Sequence, residues 1–180
     1  MRIKLSPALT AIAAIASLGL SGCTSVADLP TERVASARLT LANGIPAGTV
    51  QIVASGNDVT LIVAATGISA GEHGFHLHTK GQCSAPDFKS AGGHLNPLDR
   101  THGFESAGGS HVGDLPNLVA NSSGTASARI PLAGNRAALM DWLFDADGTA
   151  VVIHAGPDDY ISDPAGAAGP RVACGVLTRA

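Results

Sequence analysis

Six of the seven histidines in this sequence occupy positions where an imidazole could bind a metal ion. His76 and His78 stand two residues apart in a strand-like run, so both side chains should leave the same side of a strand. Phe75 and Leu77 alternate with them and place apolar side chains on the other side. His154 ends the apolar run VVIH, where a buried imidazole is costly without a metal ion or a hydrogen-bond partner. These three histidines are therefore candidate metal ligands.

Three further histidines and an aspartate lie in one long segment and at its end. Residues 80–113 are rich in glycine and nearly free of aliphatic runs, and so long a loop inside a compact domain is usually functional or disordered. His94, His102, His111 and Asp114 offer three nitrogens and one carboxylate oxygen, a complete tetrahedral set for zinc. Six imidazoles and one carboxylate are one ligand short of two four-coordinate sites. One imidazole shared between two metal ions would complete both.

The segments that must position these residues have the pattern of short β-strands. Aromatic residues make up only 3% of the sequence and glycine occurs 22 times, which favours an aliphatic core in strands joined by tight turns. About eight strands with two long loops predict an all-β antiparallel barrel or sandwich. Residues 136–144 could form a short helix or a loop. Strands are expected at 34–41, 48–54, 59–66, 75–79, 118–120, 125–132, 150–155 and 172–178, and long loops at 80–113 and 158–170.

The N-terminus has the pattern of an export signal. Arg2 and Lys4 precede an apolar stretch, Leu5–Leu20, whose polar residues and proline make it a poor membrane span. The LSGC tetrapeptide that follows resembles the lipobox of bacterial lipoproteins, in which the cysteine, here Cys23, becomes the lipidated first residue of the mature chain. The alternative is an ordinary signal peptide cleaved nearby, with Cys23 a spare thiol. Either way we expect an exported protein of the periplasm or cell envelope.

This interpretation gives a signal peptide at 1–22, a lipidated cysteine and tether at 23–33, and one domain at 34–180. Thr24 follows the lipidated cysteine, in place of the aspartate that favours inner-membrane retention in enteric bacteria, so the outer membrane is favoured. Loss of the two leader cations changes the formal net charge from −3 to −5. No run of Lys or Arg suggests a nucleic-acid partner.

Two cysteines remain when Cys23 is lipidated. Cys83 and Cys174 are expected to form a disulfide in an oxidising compartment. The alternative is two independent buried thiols.

Five motifs together resemble the copper/zinc superoxide dismutase family. The resemblance covers residues 34–178 in the family's order, with spacings of eight, nine and three residues from His94 to Asp114. It implies an eight-stranded antiparallel Greek-key barrel or sandwich with two long functional loops. The motifs are GFHLH at 74–78, GGHLNP at 92–97, HVGD at 111–114, His154 followed by DD at 158–159, and GPRVACG at 169–175.

The resemblance also implies one copper and one zinc ion per subunit, and a role for each candidate ligand. The residues that resemble copper ligands are His76, His78, His94 and His154. The residues that resemble zinc ligands are His94, His102, His111 and Asp114, with His94 as the bridging imidazolate. Asp158 is similar to the carboxylate that links His76 to His102 from outside both ligand sets, and Cys83 and Cys174 match the family's disulfide.

The activity implied by the resemblance is dismutation of superoxide to oxygen and hydrogen peroxide. Copper would take an electron from one superoxide and return it to a second, while zinc stays structural. His94 is expected to carry a proton in this cycle, and Arg171 to attract and hold the anion beside the copper. The chain is expected to act as a monomer or a homodimer.

The sequence departs from eukaryotic family members in the segment before Arg171. Residues 160–168 contain no lysine, whereas eukaryotic members use a lysine and glutamates there to steer superoxide. Lys80 and Lys89 in the other long loop are the alternative steering candidates, and His73 is expected to be structural. A metal store or carrier on the same scaffold is the competing function, and a purely structural lipoprotein would leave six histidines in register unexplained.

Overall fold

The structure, a computed structural model, describes residues 30–180, and its strands follow the alternation in the sequence. In the second strand Val50, Ile52 and Ala54 are buried, whereas Gln51 and Val53 between them are exposed or half-buried. The strands are β1 Glu32–Leu41, β2 Pro46–Ser55, β3 Asp58–Thr66, β4 Gly71–His78, β5 Asp114–Ala120, β6 Thr125–Pro131, β7 Ala150–His154, β8 Arg171–Val176 and β9 Thr178–Arg179. The helix α1 spans Arg136–Leu143.

The strands pair antiparallel in the order β5-β4-β7-β8-β1-β2-β3-β6, with β9 added beside β1. β5 lies against β6, so the sheet nearly closes into a barrel around an aliphatic core. The pairing of β4 with β7 and of β1 with β8 gives the long connections of a Greek-key arrangement. The predicted all-β fold with eight principal strands is confirmed.

Several element boundaries differ from those expected, and tertiary pairing is the reason. β4 begins at Gly71 rather than at 75, because Gly71 and Glu72 pair with Ala120 and Val119. The same pairing starts β5 at Asp114, four residues before the expected strand. The expected last strand is divided at Leu177. Its side chain is buried and its N–H donates to the Thr149 carbonyl oxygen, which interrupts the ladder.

The start of β1 and the helix α1 also refine the expectations. β1 starts at Glu32, two residues before the predicted domain boundary. The region left open between helix and loop is α1, which begins where the Asn135 side chain accepts a hydrogen bond from the Ala138 N–H.

Within residues 30–180, no helix is long and apolar enough to cross a membrane. Cys23 and the predicted signal peptide lie outside the described residues.

Two long connections carry most of the candidate site. Residues 79–113 join β4 to β5, and residues 155–170 join β7 to β8. The predicted disulfide between Cys83 and Cys174 is present and ties the first connection to β8. Phe88 and Ala91 of this connection also pack in a small apolar cluster with Val152 and Cys174. The connection is therefore fastened to the barrel near the candidate histidines.

Candidate metal centre

Paired strands bring three of the candidate histidines together. His76 and His78 lie on β4, His154 ends β7, and the register places His76 opposite Val152 and His78 opposite Ala150. The ring centroids of His76 and His154 are 4.9 Å apart. His94 joins them from the long loop through a β-bridge to His78. We call His76, His78, His94 and His154 the strand group.

Each of the three strand-borne imidazoles has one nitrogen engaged by an oxygen acceptor. Because a carbonyl or carboxylate oxygen accepts, the engaged nitrogen carries the proton and the opposite nitrogen keeps its lone pair. The bonds run from His78 Nδ1 to Gly92 O at 3.0 Å, from His154 Nδ1 to Gly169 O at 3.0 Å, and from His76 Nε2 to Asp158 Oδ2 at 2.7 Å.

The remaining nitrogens of the strand group converge. Each group member contributes one ligand atom, and these atoms lie within 4.8 Å of one another. His76 Nδ1, His78 Nε2, His94 Nε2 and His154 Nε2 are buried and have no hydrogen-bond partner. Converging buried lone pairs are unfavourable unless a cation satisfies them, and a set of imidazoles suits copper. The strand group therefore fits a copper ion.

Burial keeps the strand group neutral. Desolvation lowers the pKa of His76 to about 3, of His78 to about 2 and of His154 to about 4. A neutral imidazole is the form that binds a metal ion, so at neutral pH no proton has to be displaced from these three rings.

Asp114, the first residue of β5, gathers the second group. Its Oδ1 lies 2.8 Å from His94 Nδ1 and 3.1 Å from the Nδ1 atoms of His102 and His111. Its Oδ2 accepts the backbone N–H groups of Gly103 and His111 at 2.8 and 3.0 Å. Three imidazole nitrogens around one carboxylate match the tetrahedral set that zinc prefers. We call His94, His102, His111 and Asp114 the loop group.

The protonation of Asp114 follows from these contacts. Burial alone would raise the pKa of this carboxyl group, but hydrogen bonds from His94 and from the Gly103 N–H, with the nearby imidazoles, hold it well below its usual range. The carboxylate is therefore ionised at neutral pH and available as an anionic ligand.

His94 belongs to both groups. Its Nδ1 faces Asp114 in the loop group, and its Nε2 is one of the unpartnered atoms in the strand group. Its ring stacks on that of His76 with centroids 3.9 Å apart. The structure therefore gives His94 the shared position that the ligand count in the sequence requires.

Asp158 connects the two groups from outside. Its Oδ2 lies 2.7 Å from His76 Nε2 and its Oδ1 lies 2.9 Å from His102 Nε2. Burial would raise the pKa of Asp158, but the hydrogen bonds from His76, His102 and the Tyr160 N–H lower it overall. Such an outer carboxylate fixes the orientation of both imidazoles and raises their basicity as ligands.

Two residues that the sequence analysis did not single out hold Asp158 in place. The Asn117 side chain accepts from the Asp158 N–H and donates to the Asp158 carbonyl oxygen, both at 2.9 Å. The Tyr160 hydroxyl accepts from the Asn117 N–H at 2.8 Å, while the Tyr160 N–H donates to Asp158 Oδ1 at 2.7 Å. No spacing or motif in the sequence marks either residue, because Asn117 lies 43 positions from Tyr160 and 41 from Asp158.

Gly166 lies against the same carboxylate. Its φ of +62° favours glycine, and a Cβ atom there would come within 1.8 Å of Asp158 Oδ1 and 2.7 Å of His102 Nε2. The second long connection can therefore close over the link between the groups only with glycine at this position.

Arg171 lies beside the strand group. Its Nη1 donates to the Phe88 carbonyl oxygen at 2.7 Å and its Nη2 to the Gly92 carbonyl oxygen at 2.6 Å. The Gly92 oxygen also accepts from His78 Nδ1, so one carbonyl connects the arginine to a strand-group imidazole. The half-buried guanidinium is thereby fixed in orientation.

The other singled-out residues lie outside both groups. His73 is buried, with Nδ1 2.7 Å from the His154 carbonyl oxygen, in keeping with the structural role expected for it. Lys80 and Lys89 are exposed, and Lys89 Nζ lies 3.3 Å from Asp87 Oδ2, which offsets part of its charge.

Comparison with known families and proteins agrees with this geometry. Residues 46–177 match the copper/zinc superoxide dismutase (SODC) family. A Cu-Zn superoxide dismutase of Caulobacter vibrioides is 40% identical over 174 residues, which are 92% of this chain and 98% of the relative. Cu-Zn superoxide dismutase 2 of Aquifex aeolicus is 40% identical over 154 residues, 84% of this chain and 90% of the relative.

The fold of this chain is also similar to that of solved structures. A SOD-like protein from Bacillus subtilis superposes with a TM-score of 0.74 at 33% identity, covering 79% of this chain and 97% of that chain. Cu/Zn superoxide dismutase from Brucella abortus superposes with a TM-score of 0.64 at 27% identity, covering 82% of this chain and 99% of that chain.

Proposed function

The chain belongs to the copper/zinc superoxide dismutase family, and we propose that its two histidine groups divide the work of that activity. The enzyme dismutes superoxide with copper and zinc as its cofactors. The strand group would hold copper and the loop group zinc. The observation that carries this assignment is the convergence of four unpartnered buried imidazole nitrogens, one of them on the residue that also faces Asp114.

Copper bound by the strand group would supply a centre that takes an electron from one superoxide and gives it to another. The chain's own residues keep this centre in place and dry. Bonds to Gly92, Gly169 and Asp158 fix three of the imidazoles, so the ring orientations do not depend on solvent. All four imidazoles are buried, which excludes bulk water from their lone pairs.

His94 is the residue that would hold a proton for the product. Its Nδ1 is engaged in the loop group, so Nε2 is the ring atom at which a proton can be gained and released. Hydrogen peroxide formation requires protons, and burial lowers the pKa of His94, so a proton gained at this ring would be released readily.

Arg171 would bind the superoxide anion. Two backbone carbonyls engage two of the five N–H donors of the guanidinium, so other donors remain for an anion. Its fixed charge offsets the net negative charge of the mature chain, which by itself repels superoxide. We also assign Lys80 and Lys89 a weaker attraction, which charge reversal at either residue would reduce at low salt.

The lipid anchor and the location belong to the same proposal. The basic start, the apolar stretch and the LSGC tetrapeptide support lipidation of Cys23 and placement in the cell envelope, at the outer membrane. Cys23→Ser should leave an unlipidated protein in the soluble envelope fraction, and mass spectrometry of the mature N-terminus measures this. An unmodified Cys23 in the wild-type protein would refute the anchor.

The assignment of the groups is tested by loading the chain from Cys23 onward with copper and zinc. We expect rapid, cyanide-sensitive superoxide decay and a Cu(II) spectrum that changes when zinc is removed, because His94 is common to both groups. Full occupancy of both metals without superoxide decay would favour a metal carrier. A Cu(II) spectrum insensitive to zinc would contradict the shared position of His94.

A further inference from the structure

The outer face of β1, β2, β3 and β6, which we call the arginine face, carries a concentration of positive charge. Arg33 and Arg38 on β1 and Arg129 on β6 are all exposed. The only acidic residues in these four strands are Glu32 and Asp58, each at the first position of its strand. The row that crosses the face consists of Ser36, Gln51, Ile62 and Arg129.

Part of the arginine face is concave. Arg33 and Arg38 line a depression of about 590 Å³ that holds no carboxylate. Its other polar side chains are Ser36, Thr49, Gln51 and Thr178. In the part of the chain that the structure describes, none of the three arginines forms an ion pair, whereas the acidic Glu32 is engaged by Arg136 at 2.7 Å. Guanidinium groups beside hydroxyl and amide donors are suited to bind phosphate oxygens.

The position of this face in the chain indicates its occupant. Arg33 follows the first residue of β1, and only eight residues separate Glu32 from Cys23. A fully extended connection of that length spans roughly 30 Å, so the lipid anchor assigned above would keep the arginine face close to the membrane surface. An anchor of this kind turns a weak surface attraction into an intramolecular one.

The metal centre lies on the other half of the barrel. Its ligands come from β4, β7, the first residue of β5 and the first long connection, and none from β1, β2, β3 or β6. Exposed acidic residues outnumber exposed cations on the two long connections, so this half of the barrel would be repelled by an anionic surface. The acidic residues are Asp87, Asp99, Glu105, Asp159 and Asp163, and the cations are Lys80, Lys89 and Arg100.

We propose that the arginine face docks on anionic lipid headgroups and thereby holds the metal centre, with Arg171, on the side of the barrel away from the membrane. The proposal rests on the lipid anchor proposed above for its biological setting, but the attraction itself belongs to the folded domain. Each arginine at an anionic surface contributes about fivefold to the preference for the docked orientation.

The test couples the Cys23 thiol of the zinc-loaded chain from Cys23 onward to a maleimide lipid in nanodiscs that carry gadolinium headgroups. Because the coupling is chemical, the result does not depend on natural lipidation or on dismutase activity. In phosphatidylglycerol discs we expect NMR relaxation of the amides at Ser36–Arg38 and Arg129 to be enhanced several-fold more than at Asp99–Glu105. In phosphatidylcholine discs the tether alone should leave a smaller difference between the two regions.

Matched triple variants distinguish an effect of the arginine face from an effect of net charge. R33Q/R38Q/R129Q should reduce the difference in phosphatidylglycerol discs to the level found in phosphatidylcholine discs, whereas K80Q/K89Q/R100Q removes the same charge from the other half and should preserve it. The same difference in phosphatidylglycerol and phosphatidylcholine discs, or a difference in phosphatidylglycerol discs that R33Q/R38Q/R129Q leaves unchanged, would overturn the proposal.

Discussion

The strand group and the loop group share His94 but are held by different means. Three strand-group imidazoles are placed by β4 and β7, and their outer nitrogens bond to two backbone carbonyls and to Asp158. The loop group comes from a connection with little regular structure, and Asp114 and Asp158 gather its imidazoles by charge and hydrogen bonding. A disulfide fastens that connection to the barrel.

The difference has a functional reason. A sheet fixes atoms through many cooperative hydrogen bonds, so the strand group would keep its nitrogens in place for a bound copper ion, which would supply the redox chemistry. The first long connection is held by a small apolar cluster and one disulfide, and it would gain further order from a bound ion, so metal binding and folding should be coupled there. We therefore expect changes in the strand group to act mainly on activity, and changes in the loop group to act mainly on zinc affinity and stability.

The largest effect should come from comparing two single variants, one with a substitution in the strand group and one with a substitution in the loop group. His154→Ala removes a strand-group nitrogen, and superoxide decay should fall at least about 100-fold, because even loss of an outer-shell partner costs 10–100-fold. His111→Ala should instead release zinc and retain more of the activity. Equal inactivation of the two variants at full copper occupancy would break the division between the groups.

Acid should destabilise the metal-free chain mainly through the strand group. The folded-state pKa values of about 3 for His76, 2 for His78 and 4 for His154 lie below the value of about 6.5 for an imidazole in an unfolded chain. The unfolded chain therefore binds more protons than the folded chain below pH 6.5. The free energy of unfolding should drop by on the order of several kcal/mol between pH 7 and pH 4.5. Urea unfolding at both pH values measures this, and a flat profile would contradict it.

Asp158→Asn should weaken the link between the groups without disturbing the sheet. The change removes the charge that orients His76 and His102, and we expect zinc affinity to fall roughly 10–100-fold in a chelator competition. Asp159→Asn is the matched control, because that neighbour is exposed and its carboxylate accepts from Ile161 and Ser162, away from both groups. Equal zinc affinities in the two variants would show that Asp158 does not orient the ligands.

The smallest effect should come from Tyr160→Phe. Loss of the hydroxyl leaves the Asn117 N–H without its acceptor and should lower the free energy of unfolding by about 1–3 kcal/mol. It should also speed zinc release, because Tyr160 and Asn117 together hold Asp158. Ile161→Ala, at an exposed neighbour, is the control. Unchanged zinc release in Tyr160→Phe would limit its role to folding.

Much of the site follows from local sequence pattern. The two-residue spacing of His76 and His78 places both on one face of a strand, and that strand is present as β4. The ligand count required a shared imidazole, and His94 is the residue that faces both groups. The N-terminal half of β4 was missed because its formation depends on pairing with β5, which lies beyond a long loop.

The sequence by itself determined the chemical types at the centre, namely six imidazoles, one carboxylate ligand, an outer carboxylate and an arginine. Only the tertiary structure decided which nitrogen of each imidazole is free, because the engaged nitrogen is selected by oxygens of residues distant in the chain, at Gly92, Gly169 and Asp158. The same holds for the support from Asn117 and Tyr160 and for the grouping of Arg33, Arg38 and Arg129 on one face. Strand periodicity is determined by neighbouring residues, whereas hydrogen-bond partners and surface charge patterns arise only when the barrel closes.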